Sequence, residues 1–282
     1  MPSDHRPTIP ASAFLDELRL LAGLKSGPST DRVLEAFGTV PRATFAGPGP
    51  WTVRSALYGM DPQQTPDDDP RWLDHCVLVA LDEEKGINIG EPSMWARLLS
   101  RTEVPPGARI LQVGAGVGYY TAILAQLAGP DGAVLGFEVE GELARCARDT
   151  VGNDDRIEIR HGNAATDLRD EDGPFDLVVA FAGVTHPVPA WTDRLAPKGR
   201  LLLPVTGTRG FGAMMLMEPT ATGFDVLTLG QCGFYACAGA RDDATARRLD
   251  KVFVDRTRLD GWRLTIREEK GQFRYDVDGQ TF

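Results

Sequence analysis

An α/β fold built on a mainly parallel sheet is what the sequence predicts, and three observations predict it. Short apolar runs of strand length recur over residues 110–113, 133–137, 157–160, 177–180 and 201–205. Stretches of helical period lie between them, such as Tyr120, Ile123, Leu124 and Leu127 at i, i+3, i+4 and i+7. The run at 177–180 is apolar throughout, as a central strand covered on both faces must be. Strands alternating with helices make a parallel sheet with crossover helices.

The most informative stretch is Arg109 to Leu127, RILQVGAGVGYYTAILAQL. Strand, tight glycine turn and helix follow one another, which opens a Rossmann-like βαβ unit. A dinucleotide fingerprint, G-x-G-x-x-G, requires glycine where this chain has Tyr119. The pattern present is G-x-G-x-G, from Gly114, Gly116 and Gly118. Glycines without Cβ let backbone approach a ligand, and the helix start offers free N–H groups and a positive end. Such a turn alone can bind nothing. Glu138 changes the reading: it ends the next apolar run, 24 residues after Gly114, where a carboxylate can accept ribose hydroxyls.

These two features resemble the first motifs of class I S-adenosylmethionine (SAM) methyltransferases. The resemblance implies SAM as methyl donor and S-adenosyl-L-homocysteine as product. It implies cofactor contacts from Gly114, Ala115, Gly116, Gly118, Tyr119, Tyr120, Thr121, Glu138, Val139, Gly162, Asn163, Ala164 and Phe181.

Composition sets the outer limits. Among 282 residues, 42% are hydrophobic and 25% charged, which is globular rather than disordered. A net charge of −10 disfavours a phosphate backbone as partner. Neither an 18-residue apolar run nor a secretory h-region in MPSDHRPTIP is found, so no membrane role is expected. Cys76, Cys146, Cys232 and Cys237 are too few and scattered for a disulfide scaffold, and Cys232 and Cys237 lack a second pair for zinc. A reduced, cytoplasmic protein without a metal follows.

Upstream of the glycine turn, residues 11–24 read as a helix with Phe14, Leu15, Leu18 and Leu21 on one side. Gly27-Pro28 breaks it, and Thr30 is a candidate N-cap for a second helix through Phe37. That helix contains VLEAF and is followed by V-P-R-x-x-F at Val40 to Phe45, a pairing that resembles the N-terminal part of protein-L-isoaspartate O-methyltransferases. In that family the helix and turn help cover the SAM site. Residues 46–73, rich in Gly, Pro and Asp, predict an irregular loop, and residues 73–81 a buried strand in which His75 is packed or at an edge.

The stretch Ile87-Asn88-Ile89-Gly90-Glu91-Pro92 lies where the family carries T-I-S-x-P. Asn88 stands for the threonine and Gly90 for the serine, so the hydroxyl that the family associates with methyl transfer is absent. Asn88 is the candidate for hydrogen bonding an acceptor carboxylate, with Ile89, Gly90 and Ser93 beside it as substrate contacts. The other reading of Asn88 and Ser93 is capping and loop support. Downstream, His161-Gly162-Asn163 matches the family's H-G-D, whose acid meets the adenine amine; Asn163 keeps an acceptor oxygen.

The strand ending at Ala180 leads into Phe181 to His186, at the carboxyl end of the sheet where such folds bind ligands. His186 is accordingly the second candidate catalytic residue, unless it only shapes the turn before Pro187. A helix at 191–195, a turn at 196–200 and L-x-P-x-G-R-L-x-x-P-V through Val205 again resemble the family. Residues 213–217 and 224–229 predict an antiparallel pair closing a seven-stranded sheet. Phe234 to Arg241 resembles the family's loop over the substrate, with Arg241 either a carboxylate clamp or a surface arginine. A helix over 244–253 precedes a hairpin over 262–277 around Lys270-Gly271.

The expected architecture is thus a Rossmann-like seven-stranded methyltransferase sheet with a helical N-terminal cap and a C-terminal β appendage. Its divisions are residues 1–86, 87–230 and 231–282. The expected activity is O-methylation of a carboxylate in a peptide or protein. A carboxylate is ionised at neutral pH and needs no general base; a hydroxyl or amine acceptor would call on His186 or Asp82. Two alternatives stand beside it: a methyltransferase for a small-molecule or modified-peptide (natural-product) acceptor, and a SAM-binding non-catalytic subunit. Oligomeric state is not read from the sequence.

Overall fold

The computed structural model describes residues 11–55, 61–254, 260–269, 272–277 and 280–281. The Lys270-Gly271 turn lies outside the described residues, as does the polar stretch 1–10. Fourteen strands and seven helices are arranged among the rest.

The chain opens with α1 (Ala11–Leu21) and α2 (Pro28–Thr39). Phe14 and Leu18 face the core, but Leu21 is exposed, so the inward stripe of α1 is narrower than predicted. Gly27, not Thr30, occupies the N-cap of α2, because Pro28 at the first helical position needs no N–H partner. Thr30 lies inside the helix and is buried. The stretch 46–73 is also more ordered than predicted. Strands β1 (Thr52–Arg54) and β2 (Gln63–Gln64) pair with each other, and β1 pairs with β3 (Leu78–Asp82), which pairs with β4 (Ile87–Asn88). The strand expected from residue 73 begins only at Leu78, since a short 3-10 turn holds Pro70–Leu73.

The main sheet follows α3 (Pro92–Thr102). It begins with β5 (Arg109–Val113), α4 (Tyr119–Ala128), β6 (Ala133–Glu138), α5 (Gly141–Val151), β7 (Ile157–His161) and β8 (Phe175–Ala180). After the short α6 (Pro189–Thr192) come β9 (Leu195–Thr206), β10 (Phe211–Thr220) and β11 (Gly223–Gly233). The strand order is β7-β6-β5-β8-β9-β10-β11, parallel from β7 to β9 and antiparallel beyond. Those are the seven strands predicted. The sheet then continues through β12 (Asp260–Glu269), β13 (Gln272–Val277) and β14 (Gln280–Thr281), with β12 paired antiparallel to β11. The C-terminal hairpin is therefore a lateral extension of the same sheet. Helix α7 (Asp243–Val254) precedes it and lies against β9 and β10.

Alternate strand residues enter different cores, as the pleat dictates. Ile110, Leu177, Val179 and Leu202 join a core that includes Phe14, Leu18, Val33, Phe37 and Trp51 of the N-terminal cap. Leu111, Val178, Leu201, Leu203 and Val205 join the opposite one with Trp191, Leu249 and Ile266. The cap thus belongs to the same packed face as α3 and α4. Arg32 of α2 fastens it, donating to the carbonyls of Val104 at 2.9 Å and of Leu127. Those carbonyls lie near the C-terminal ends of α3 and α4, where a cation is favoured. Among the described residues, no helix is long and apolar enough to cross a membrane.

Candidate active site

In-register pairing brings the carboxyl ends of four parallel strands to one edge. Val113 pairs with Phe137 and with Ala180, and Glu138 with His161. β5 lies between β6 and β8, so connections leave in opposite directions and a crevice opens above it. A cavity of about 370 Å³ fills that crevice, within the range of small-molecule sites. Its walls are the glycine turn, the ends of β6 to β8, the β3–β4 hairpin and residues 234–238.

Gly116 and Glu138 form the polar centre. The Gly116 N–H donates to Glu138 Oε2 at 2.7 Å, and the Glu140 N–H donates to Oε1 at 3.0 Å. Gly116 has φ +56° and nothing within 4 Å of where its Cβ would be, so the turn needs glycine and leaves open space. Glu138 is buried, and its carboxylate is fixed by two backbone donors with lone pairs left over. That arrangement fits the ribose hydroxyls of a nucleoside. Gly114, Ala115, Tyr119, Tyr120, Val139, Gly162, Asn163, Ala164 and Phe181 also line the cavity. The Asn163 side-chain oxygen accepts from the Ala165 N–H at 2.9 Å, which leaves its second lone pair for an amine.

Gly118 and Thr121 do not line it. A Cβ at Gly118 would stand 3.1 Å from Val151 Cγ1, so that glycine serves the packing of α4 on α5. Thr121 is fully buried and donates to Gln112 Oε1 at 2.6 Å, tying α4 to β5.

The cavity floor is aromatic. Phe181 stacks on Trp95 with ring centroids 3.7 Å apart and planes 16° apart, and Tyr120 lies 5.1 Å from Phe181 and 5.4 Å from Trp95. Phe234 meets Trp95 edge-on at 6.1 Å. Across the mouth, Lys85 Nζ lies 2.6 Å from Glu140 Oε2, joining the β3–β4 hairpin to the end of β6. Cys237 also lines the cavity, but burial pushes its thiol up to about 12, so it is a neutral packing group.

The acceptor-side loop is held from within. Asn88 Oδ1 accepts from the Gly90 N–H at 2.8 Å, and its amide donates to the Gly86 carbonyl at 3.2 Å. Gly90 has φ +83°; a Cβ there would stand 3.1 Å from Tyr120 Cε2 and 3.3 Å from Trp95 Nε1. Below the loop lies Arg42, only 2% exposed, whose guanidinium donates to the carbonyls of Gly90 at 2.6 Å, Val77 at 2.8 Å and His75 at 3.3 Å. Asn88, Ile89 and Gly90 line the cavity, whereas Ser93 does not. Its hydroxyl donates to Glu91 Oε2 at 2.8 Å inside the first turn of α3, where Glu91 also caps the N–H groups of Ser93 and Met94. His75 is half-buried and contacts Glu17 Oε2 at 2.9 Å, in line with a packed or edge position.

Two further candidates are displaced from the cavity. After Phe181 and Ala182 the chain is captured by β9: the Val184 N–H donates to Pro204 and the Thr206 N–H to Val184. His186 is carried past the cavity to stack on Phe273 of β13, centroids 4.8 Å apart, with Thr185 Oγ1 2.8 Å from its Nδ1. Arg241 donates to the carbonyls of Gly183 at 2.9 Å and Gly207 at 2.7 Å and to Thr206 Oγ1 at 2.8 Å. Two carbonyls and a hydroxyl thus occupy its guanidinium, and it does not line the cavity. Asp82 accepts from the Lys85 N–H at 3.0 Å in the hairpin turn and is not a cavity wall.

Sequence reasoning missed Arg42, Trp95 and Lys85. Arg42 had a signal, a lone arginine between apolar residues in V-P-R-A-T-F; Trp95 stands among Met94, Leu98 and Leu99, a helical apolar stripe that sequence alone does not tell from core. No group of His, Cys, Asp and Glu that could hold a metal occurs among the described residues.

Comparison with known proteins gives a consistent picture. The model of the protein-L-isoaspartate(D-aspartate) O-methyltransferase family matches residues 17–234. A protein-L-isoaspartate O-methyltransferase of Aeropyrum pernix is 31% identical over 211 residues, spanning 73% of this chain and 72% of that one. One from Koribacter versatilis is 30% identical over 224 residues, spanning 78% and 89%. Among solved structures, a protein-L-isoaspartate O-methyltransferase superposes with a TM-score of 0.65 at 18% identity, covering 82% of this chain and 66% of that one. A Plasmodium falciparum protein of the same description, in complex with S-adenosyl-L-homocysteine, gives 0.60 at 20% identity, covering 82% and 100%.

Proposed function

The chain belongs to the protein-L-isoaspartate(D-aspartate) O-methyltransferase family and is a SAM-dependent methyltransferase; on that premise we propose that it methylates a free carboxylate in a peptide or protein, the isoaspartyl carboxylate first. One observation carries the choice of acceptor. Among the described residues lining the cavity there is no histidine, and its two carboxylates are engaged, Glu138 by backbone N–H groups and Glu140 by Lys85. A carboxylate acceptor arrives ionised and needs no base, whereas a hydroxyl or amine would need one.

SAM, when bound, supplies an electrophilic methyl group on a sulfonium. Glu138 receives the ribose hydroxyls and Asn163 Oδ1 the adenine amine. The faces of Trp95, Phe181 and Tyr120 favour a sulfonium cation and exclude water from the acceptor side. Asn88 orders the loop by fixing the Gly90 N–H and has no proton to move. The rate enhancement comes from alignment of acceptor oxygen and methyl group.

The test is methyl transfer from labelled SAM to an isoaspartyl peptide and to its aspartyl counterpart. Turnover of the isoaspartyl peptide alone supports the reading; SAM binding without turnover of either peptide rejects it. In that outcome a second reading gains weight, a small-molecule or modified-peptide acceptor. The observation favouring it is Gly90, which stands where a family hydroxyl is expected.

A further inference from the structure

We propose that the indole N–H of Trp95 is the cavity's donor to a ligand carboxylate at the end where methyl transfer takes place. The proposal rests on the SAM-dependent activity and adds a recognition residue to it. Two carboxylates reach that end, the methionyl carboxylate of the cofactor and that of the proposed acceptor. Their shared chemistry is one carboxylate oxygen on Nε1–H, and the experiment separates the two sources.

A buried tryptophan N–H ordinarily finds a partner. Trp51 donates to the Gly47 carbonyl at 3.1 Å, Trp72 to Asp67 Oδ1 at 2.8 Å and Trp191 to the Ala164 carbonyl at 3.0 Å. Trp95 is 1% exposed, yet its Nε1–H has no acceptor among the described residues. Nor is it walled in. The described side-chain atoms sealed without a partner are Arg42 Nε, Arg194 Nε and the Tyr119 and Tyr120 hydroxyls, and Trp95 Nε1 is not one of them. Trp95 lines the cavity, so its N–H opens on space that a ligand enters.

The sheet places that donor at the methyl-transfer end. Glu138 ends β6 and Asn163 follows β7, so the adenosine lies on that side of β5. β8 lies on the other side, and Phe181 follows it. Trp95 stacks on Phe181 and meets Phe234 edge-on, which fixes the indole plane at the end opposite the adenine. A Cβ at position 90 would stand 3.3 Å from Trp95 Nε1 and 3.5 Å from its Cδ1, so the edge carrying the N–H borders the acceptor-side loop.

Other side-chain donors of the cavity wall are committed elsewhere. Lys85 pairs with Glu140 and the Asn88 amide donates to Gly86. The Tyr119 and Tyr120 hydroxyls are sealed. Tyr235 is 61% exposed at the rim, its hydroxyl set against Gly86, where a Cβ would overlap it. Asn163 belongs to the adenine end. An indole N–H keeps its proton at every pH at which a carboxylate is ionised, and a hydrogen bond to a charged acceptor is among the strong ones.

The experiment uses the full chain and two pairs of probes, each a carboxylate and its twin without one. The cofactor pair is S-adenosyl-L-homocysteine and its decarboxylated analogue, which keeps the amine. The acceptor pair, titrated into protein saturated with S-adenosyl-L-homocysteine, is N-acetylglycine and N-acetylglycinamide. Affinities are measured for wild type, for Trp95→Phe, and for protein carrying benzothienylalanine at position 95, where sulfur replaces the N–H at nearly the same shape. An isoaspartyl peptide is assayed for turnover in parallel. In at least one pair the wild-type preference for the carboxylate is expected to fall by about tenfold or more in both altered proteins, the strength of a hydrogen bond to a charged group. A fall in the cofactor pair assigns the methionyl carboxylate, and a fall in the acceptor pair assigns the acceptor's. By NMR, the wild-type indole N–H resonance that the benzothienylalanine protein lacks should move downfield with that carboxylate, while the Trp51 resonance stays in place. Preferences unchanged in both pairs overturn the proposal, as does equal weakening of carboxylate and twin. A loss in Trp95→Phe that the benzothienylalanine protein does not share, or a Trp95 resonance that no carboxylate moves, overturns it too. If wild type leaves the isoaspartyl peptide untouched yet keeps a Trp95-dependent preference, the isoaspartyl reading fails and the assignment of Trp95 stands.

Discussion

Arg42 reaches across 48 residues of sequence to donate to the Gly90 carbonyl at 2.6 Å. The cap and the acceptor loop are thereby one mechanical unit: the V-P-R turn, the start of β3 and the N-I-G-E-P loop share a single guanidinium. Through that guanidinium the cap holds the loop that forms one wall of the cavity.

Replacing Arg42 by methionine keeps the volume and removes three bonds to buried carbonyls. The expected loss is about 3 kcal/mol of stability, read as a lower urea midpoint with an unchanged slope. Lysine, which cannot fork to three carbonyls, recovers only part of it.

Glu138→Gln keeps the shape but loses the charge, and its amide nitrogen must face a backbone N–H at either Gly116 or Glu140. Calorimetry with S-adenosyl-L-homocysteine is expected to show affinity lower by about tenfold to a hundredfold, with thermal stability of the apo protein little changed.

Gly90→Ser restores the hydroxyl that the family motif carries, but at φ +83° and against Tyr120 and Trp95. A non-glycine residue in that backbone region costs about 1 kcal/mol or more. The variant is expected to be less stable and no more active on the isoaspartyl peptide. A gain in turnover would show that the loop adapts.

His186→Ala should leave kcat/KM within about twofold, because the imidazole stacks on Phe273 rather than facing the cavity. The lost ring contact is expected to cost about 0.5–1.5 kcal/mol, measured in the same melts. A collapse of turnover with unchanged stability would return His186 to the site.

Burial raises the Cys237 thiol to about 12 and pushes the Cys76 and Cys232 thiols and the Tyr120 phenol upward as well. In the unfolded chain a thiol ionises near pH ~8.5. Below that pH these groups are neutral in both states and their contribution is complete. Above it the unfolded chain releases protons that the folded chain retains, so stability falls as pH rises from about 8.5 toward 12. Urea midpoints at pH 7, 9 and 10 measure the slope. Native thiol labelling at pH 8 should spare Cys76, Cys232 and Cys237.

What could be read from sequence was what is local. The strand, the glycine turn and Glu138 lie within one βαβ unit, where spacing alone decides which backbone meets which carboxylate. Tertiary capture was not readable in the same way. The rule that ligands sit at carboxyl strand ends holds for Phe181 and Ala182 and fails at His186, because pairing of Val184 with β9 intervenes. Ser93 follows the second of its two readings, capping, because the Glu91 carboxylate takes both its N–H and its hydroxyl. Strands of two and three residues, as in β1 and β2, leave no periodicity to detect, and their existence depends on pairing near Val79. The alternation over 262–277 announced a hairpin but not its berth, since sheet-edge pairing uses backbone groups that every sequence offers.

That berth also governs the order in which the molecule can be completed. The Tyr275 hydroxyl donates to the Thr185 carbonyl, 90 residues earlier, just past the segment that borders the cavity. Contacts so distant in sequence are closed late. During synthesis the cofactor half can assemble while β11 is still an unpaired edge, a transient template for wrong strands. Only when the last hairpin docks are that edge and the buried Thr185 carbonyl satisfied together, so defects in the C-terminal segment should appear first as lost yield of soluble protein, before any change in the chemistry of the site.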